Sequence, residues 1–244
     1  MNMTRRELIL ALAATACASA DPPEHLHARP TSPHPLAPGL HTLPLERRTL
    51  LYVPATARAF TLLLHGANGV PERIIERFRP FSDELGVILL APKSAGYTWD
   101  AIRGSFGPDV LFIDEALRAA FAICPVDRHH LAVAGFSDGA TYAIALGLAN
   151  GDLFSHIVAF SPGFLIPVQR EGSPLIFMSH GTRDPILPID NASRRIAREL
   201  RRANLKVTLR EFNGEHSIPP EIAREAFEWF VGRTLRSVEP QRER

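Results

Sequence analysis

The stretch Leu131-Ala132-Val133-Ala134-Gly135-Phe136-Ser137-Asp138-Gly139-Ala140 decides the fold. Its first four residues form an apolar run of strand length with no polar alternation, as a strand covered on both faces requires. The run then breaks at Gly135-Phe136-Ser137-Asp138-Gly139, and Ala140, Ala143, Ile144, Gly147 and Leu148 resume it as a small, almost wholly apolar helix. A strand that bends sharply into a buried helix leaves Ser137 projecting from the bend. The flanking glycines are needed because side chains there would strike the adjoining strand and helix.

Working outward, apolar runs recur on both sides of this segment. Leu62-Leu63-Leu64 and Val87-Ile88-Leu89-Leu90 precede it; Ile157-Val158-Ala159-Phe160, Leu175-Ile176-Phe177-Met178 and Val207-Thr208-Leu209 follow. Between them lie segments of helical period. Val110, Ile113, Leu117 and Phe121 mark one face of a helix near 109 to 123, with Asp114, Glu115 and Arg118 off that face. Such alternation predicts an α/β domain with a mainly parallel central sheet and helices on both faces. Leu40 to Val53, interrupted by Pro44, predicts an edge hairpin. No internal repeat is present. Ligand sites of such sheets form at the carboxyl ends of the strands, so the residues just after each run carry the chemistry.

A serine hydroxyl is a weak nucleophile at neutral pH. It needs an imidazole to take its proton and a carboxylate to hold that imidazole in the right tautomer. After the run at 175 to 178 comes His180-Gly181-Thr182-Arg183-Asp184-Pro185, and after the run near 206 to 212 comes Asn213-Gly214-Glu215-His216. Both segments fall at the edge where Ser137 is expected, and the order Ser137, Asp184, His216 suits the fold. Asp190, followed by Asn191-Ala192-Ser193, reads instead as a helix N-cap. His129 and His130 precede a strand and belong to the opposite edge.

The oxyanion that forms on attack needs preorganised N–H donors. Leu64-His65-Gly66-Ala67-Asn68-Gly69 follows the first buried strand. The donors are assigned to the main-chain N–H groups of Ala67 and Asp138, with His65 organising the loop. Tyr97, Trp99, Phe136, Phe164, Leu165, Ile186 and Ile218 are available to line an acyl or aromatic pocket. Of these, Trp99, Phe136, Phe164 and Ile186 are the expected substrate contacts. The connection from Ser161 to Ser173 is too short for a lid domain, which predicts an open cleft.

On these residues the chain resembles the α/β-hydrolase superfamily, with Gly135 to Gly139 as the nucleophile elbow and Leu64 to Gly69 as the oxyanion loop. The resemblance spans residues 40 to 235. Within it, Gly181-Thr182-Arg183-Asp184-Pro185-Ile186-Leu187-Pro188 resembles the acid loop of phospholipase/carboxylesterase and poly(3-hydroxybutyrate) depolymerase-like serine esterases. Asp138 stands where Gln, Asn or Met is common, and Glu215 precedes His216 where glycine is usual. The resemblance implies hydrolysis of a small or oligomeric carboxylic ester, with no cofactor and no metal. It does not choose the ester. Two other readings share the scaffold: a prolyl-oligopeptidase-like serine peptidase, which would usually carry an additional domain, and a non-catalytic binding protein.

Composition bounds the rest. With 45% hydrophobic and 22% charged residues over 244, the chain can bury one substantial core. Lys plus Arg total 27 against 26 acidic residues, which leaves no cationic excess for a nucleic-acid partner. Arg194, Arg195, Arg198, Arg201 and Arg202 read as a solvated helix face.

Residues 1–20 run from Thr4-Arg5-Arg6-Glu7 through Leu8-Ile9-Leu10-Ala11-Leu12 to small residues, the pattern of an export signal of ordinary or twin-arginine type. Cleavage after Ala20 is one reading; lipidation of Cys17 after Ala14-Thr15-Ala16 is the other. The protein is thus expected outside the cytoplasm, free or lipid-tethered, with no transmembrane segment. Cys124 is then the one cysteine of the body, which excludes an internal disulfide. Six prolines in residues 21–39 predict a surface linker, with His25, His27 and His34 as solvated tail residues. A charged tail is expected at 236–244.

Overall fold

In the computed structural model, which describes residues 23–31 and 36–232, each apolar run is a strand. The strands are β1 (Gly39–Thr42), β2 (Thr49–Val53), β3 (Ala59–Leu64), β4 (Val87–Pro92), β5 (Leu131–Phe136), β6 (His156–Phe160), β7 (Leu175–Gly181) and β8 (Val207–Phe212). Between them run α1 (Pro71–Leu85), α2 (Asp100–Arg103), α3 (Pro108–Phe121), α4 (Asp138–Ala149), α5 (Ser193–Arg202) and α6 (Pro220–Phe230). The expected leader with Cys17 and the tail at 236–244 lie outside the described residues.

One sheet holds all eight strands in the order β1-β2-β4-β3-β5-β6-β7-β8. The β1–β2 hairpin is antiparallel and joins β4 antiparallel; from β4 through β8 every pairing is parallel. Successive residues of a strand face opposite sides of the sheet. Leu51, Phe60, Leu62, Leu64, Leu90 and Val133 thus join one core with α3, α4 and α5, whereas Leu50, Leu63, Leu89, Ala132, Ala134 and Phe177 join a second with α1 and α6. Strands β2 to β4 are buried along their whole length, as unbroken apolar runs require. The run at Val207 departs from that expectation. β8 is the sheet edge, and its residues alternate between half-buried and exposed.

The segment expected to be a solvated linker is docked on the domain. Leu26 and Ala28 are buried within the first core, and burying a leucine contributes roughly 2 kcal/mol. The N–H groups of this strap are satisfied by side chains from the body. Asn150 Oδ1 accepts from Leu26 N–H at 2.7 Å, and Asp114 Oδ1 accepts from those of His27 and Ala28 at 2.7 and 2.6 Å. Asn150 Nδ2 in turn donates to the Glu24 carbonyl at 2.9 Å. Asp114 was expected off the buried face of its helix, but the strap covers it. His25 correspondingly sits beside two carboxylates, with the nearest ligand atoms of His25, Asp152 and Glu171 within 4.8 Å of one another. Arg29 already pairs with Asp152 at 2.5 Å, so these groups fasten the strap.

Candidate active site

The bend after β5 is strained. Ser137 has φ 55 and ψ −119, a region closed to most residues, and its N–H donates to the Phe160 carbonyl at 2.9 Å. Two close approaches hold it there. A Cβ on Gly135 would lie 2.2 Å from the Gly139 carbonyl oxygen, and one on Gly139 would lie 2.2 Å from that of Leu64. Both glycines are therefore required by packing between β3, β5 and the first turn of α4. The Ser137 carbonyl accepts from Ala140 and Thr141 N–H at 2.9 and 3.0 Å, so the helix begins directly beneath the nucleophile.

The loops after β7 and β8 bring the two other groups to Ser137. His216 Nε2 is 2.9 Å from Ser137 Oγ, and His216 Nδ1 is 2.6 Å from Asp184 Oδ2. Since a carboxylate only accepts, Nδ1 carries the proton and Nε2 is left as the acceptor for the serine hydroxyl. Burial pushes the Asp184 carboxyl up. Hydrogen bonds from Leu187 N–H, the His216 ring and Ile186 N–H outweigh it, so Asp184 is held below the usual aspartate range. It is ionised at neutral pH.

His180, near the end of β7, contacts Asp184 as well, although the sequence reading assigned it no place at the site. It is fully buried, with Nε2 2.8 Å from the Leu187 carbonyl oxygen and 3.1 Å from Asp184 Oδ2, and Nδ1 2.7 Å from Ser193 Oγ. Burial lowers its pKa against the pull of Leu187 and Asp184, so the ring is neutral. Both Nε2 neighbours are acceptors; the proton is therefore on Nε2, and Ser193 donates to Nδ1. Its place four residues before Asp184 was the available signal.

The oxyanion loop follows β3. His65 is buried, and burial lowers its pKa to about 4. Its Nε2 accepts from Ser94 N–H at 3.1 Å, which leaves Nδ1–H to donate to the Gly66 carbonyl at 2.7 Å. It thus braces the loop, as expected, and supplies no second base. Asn68 takes φ 53 and donates its N–H to the Tyr97 carbonyl at 2.7 Å, while Gly69 N–H closes on the Gly66 carbonyl at 3.0 Å. A Cβ on Gly66 would lie 3.4 Å from Ser137 Cβ, and Ala67, the next residue, lines the same cavity as Ser137. Asp138 opens α4, where an N–H has no carbonyl one turn back. Its carboxylate turns away to accept from Thr98 Oγ1 at 2.7 Å.

A strained serine turn, an imidazole and an acid stand at the carboxyl ends of β5, β8 and β7 of this sheet order. The chain has the α/β-hydrolase fold. The sequence profile of the phospholipase/carboxylesterase family matches residues 110–230, which hold all three groups. A protein named "Putative esterase NocK", from Nocardia uniformis subsp. tsuyamanensis, is 24% identical, covering 79% of this chain and 68% of its own. The carboxylesterase of Bacillus cereus superposes with a TM-score of 0.60 at 20% identity, covering 78% of this chain and 96% of its own. An S-formylglutathione hydrolase from Staphylococcus aureus gives 0.66 at 16% identity, over 83% and 99%.

Beside Ser137 the chain has a cavity of about 460 Å³. Phe136, Tyr97, Ile186 and Ile218 line it, as expected, and Phe136 also packs on the His216 ring with centroids 4.8 Å apart. Two expected substrate contacts are corrected. Trp99 is fully buried behind the oxyanion loop, where its indole N–H donates to the His65 carbonyl at 2.8 Å and its ring packs against His65 and Tyr142. Phe164 is partly exposed and lies outside the cavity lining. Asp190 is corrected as well: Ala192 occupies the N-cap of α5, and Asp190 pairs with Arg194 at 2.9 Å. Between β6 and β7 the chain forms no helix or strand.

Proposed function

We propose that this protein is a serine hydrolase of carboxylic esters that works through Ser137, His216, Asp184 and an acyl-enzyme intermediate. The continuous hydrogen-bond chain from Ser137 Oγ through the imidazole to an ionised carboxylate carries the reading. Relatives named esterase and carboxylesterase support it. Ser137 Oγ attacks the ester carbonyl as His216 Nε2 takes its proton. The N–H groups of Ala67 and Asp138 receive the oxyanion, and the imidazolium then protonates the departing alcohol. Water repeats the sequence and frees the acid and Ser137. Asp184 remains charged throughout and fixes the ring.

The test is Ser137→Ala on a panel of esters varying in acyl length and aromaticity. Turnover is expected to drop about 10⁴- to 10⁶-fold with unfolding unchanged. A fluorophosphonate probe is expected to label the native protein at Ser137 alone. Hydrolysis by Ser137→Ala at the native rate would end the proposal, and a preference for aminoacyl anilides over esters would redirect it to peptidase chemistry. We further infer that the leader directs export. Mass spectrometry of the exported amino terminus distinguishes cleavage after Ala20 from lipid on Cys17.

A further inference from the structure

The catalytic cavity has a charged wall that the ester reaction does not use. Arg73 and Arg77, one turn apart on α1, line it together with the oxyanion loop, Ser137 and His216, and no acidic residue does. Arg77 Nη1 donates to the carbonyl of Ile218 at 2.8 Å, which ties its guanidinium to the loop just after His216. The Ile218 carbonyl is neutral, and Arg77, which is exposed, has no ion pair among the described residues. Arg73 has neither a hydrogen bond nor an ion pair among the described residues, although Glu72 beside it is engaged by Arg48 at 2.7 Å.

Arg73 is also badly placed for the helix. It lies in the first turn of α1, where the aligned peptide dipoles disfavour a cation, and no side chain caps that turn. The local potential therefore adds to that of the two guanidinium groups. The remainder of the wall is apolar, from Val70, Ile74, Phe136, Ile186 and Ile218. An apolar chamber with two fork-shaped cations on one side suits a ligand with a hydrocarbon body and a carboxylate end, since guanidinium presents paired donors that match carboxylate geometry.

The geometry points to an ester that carries a free carboxylate as the preferred substrate, held by Arg73 and Arg77 while Ser137 attacks the ester carbonyl. This inference rests on the esterase reading and names its substrate class. The carboxylate is not consumed; the bond broken remains the acyl C–O bond, the Ser137 proton leaves with the alcohol by way of His216, and water then supplies the hydroxyl of the released acid and the proton that restores Ser137.

Two ester pairs of matched length test it on the full-length protein. On the acyl side these are 4-nitrophenyl hydrogen glutarate and 4-nitrophenyl pentanoate; on the alcohol side, 4-acetoxybenzoate and 4-acetoxytoluene. The readout is the ratio of kcat/KM for the anionic to the neutral member, for the native protein, Arg73→Gln, Arg77→Gln and the double variant. In at least one pair the native ratio is expected to favour the anion and to fall about tenfold in the double variant, chiefly through KM. It is also expected to shrink as salt rises from about 0.05 to about 0.5 M, a result that needs no variant. A native preference for the neutral member in both pairs overturns the inference, as does an anion preference that ignores the substitutions. In those cases hydrolysis itself leaves the esterase reading standing. No turnover of any ester, with Ser137 unlabelled by fluorophosphonate, overturns both.

Discussion

The carboxylate of Asp184 owes its ionisation to its neighbours. Asp184 receives two main-chain N–H bonds on Oδ1, from Ile186 and Leu187, which leaves Oδ2 for His216 and for the buried His180. His180 is thus a positioning residue that acts through the acid. Replacing it by leucine deletes one donor to Asp184, makes the carboxylate more basic toward His216 and so stabilises the imidazolium. For His180→Leu we expect kcat/KM to fall about 10- to 100-fold and the acid limb of its pH profile to move upward, with KM little changed. His180→Gln, whose amide N–H₂ reaches about as far as Nε2, is expected to restore much of the loss. A loss of activity with an unmoved acid limb would mean that His180 merely fills space. The pairing of His180 with Asp184 was not legible in the sequence, because a histidine at the end of an apolar strand looks the same whether it meets the acid or only the core.

At the scale of elements, the strand-turn-helix unit and the strap make opposite demands. The turn around Ser137 tolerates no added atom on either glycine. Gly139→Ala is expected to cost about 3 kcal/mol or more, since the new Cβ would meet the Leu64 and His65 carbonyl oxygens at 2.2 and 2.5 Å. Gly96→Ala, whose Cβ would find only the Thr98 carbonyl oxygen at 3.7 Å, is the control and is expected to be near neutral in urea unfolding. The strap depends on acceptors instead. Asp114→Ala would strip two N–H groups of their partner, and the expected loss is about 1–3 kcal/mol. Limited proteolysis, followed by mass spectrometry, should then find new cleavage within residues 24–31. The turn was legible because its glycines and serine are adjacent in the chain. The strap was not, because prolines report that a segment is extended and say nothing of what it lies against.

Among the described residues the buried His65 and His180 and the half-buried His156 are neutral groups, and they shape the acid stability of the whole molecule. Burial lowers His65 and His156 to about 4, and it lowers His180 as well. In the unfolded chain these rings protonate near 6.5. Between those values the unfolded state binds more protons than the folded one, so stability present above pH 6.5 drains away as pH falls toward 4. For the well-buried His65 alone this is on the order of 3 kcal/mol. Urea midpoints at about pH 7, 5.5 and 4.5 should therefore decline before the carboxylates titrate. Constant midpoints across that window would contradict the neutral-histidine arrangement. The depressed Asp184 adds a later loss, below the ordinary aspartate range.

The fold, and the meeting of Ser137, Asp184 and His216 at one sheet edge, were determined by local pattern. An uninterrupted apolar run has to be covered on both faces, helical period between such runs forces parallel crossovers, and the ends of those strands then meet at one edge. Ser137, Asp184 and His216 could be chosen from their places after runs alone. What tertiary structure decided is which side chains of one kind face the cavity. Trp99 and Phe164 are both large and apolar, yet one is sealed behind the oxyanion loop and the other lies outside the cavity wall. Arg73 and Arg77 are exposed residues of α1, each beside a glutamate, and nothing in the sequence sets them apart from other arginines. Only the packing of α1 against the sheet makes them part of the cavity wall beside Ser137, because the orientation of a helix about its axis is fixed by residues distant in the chain.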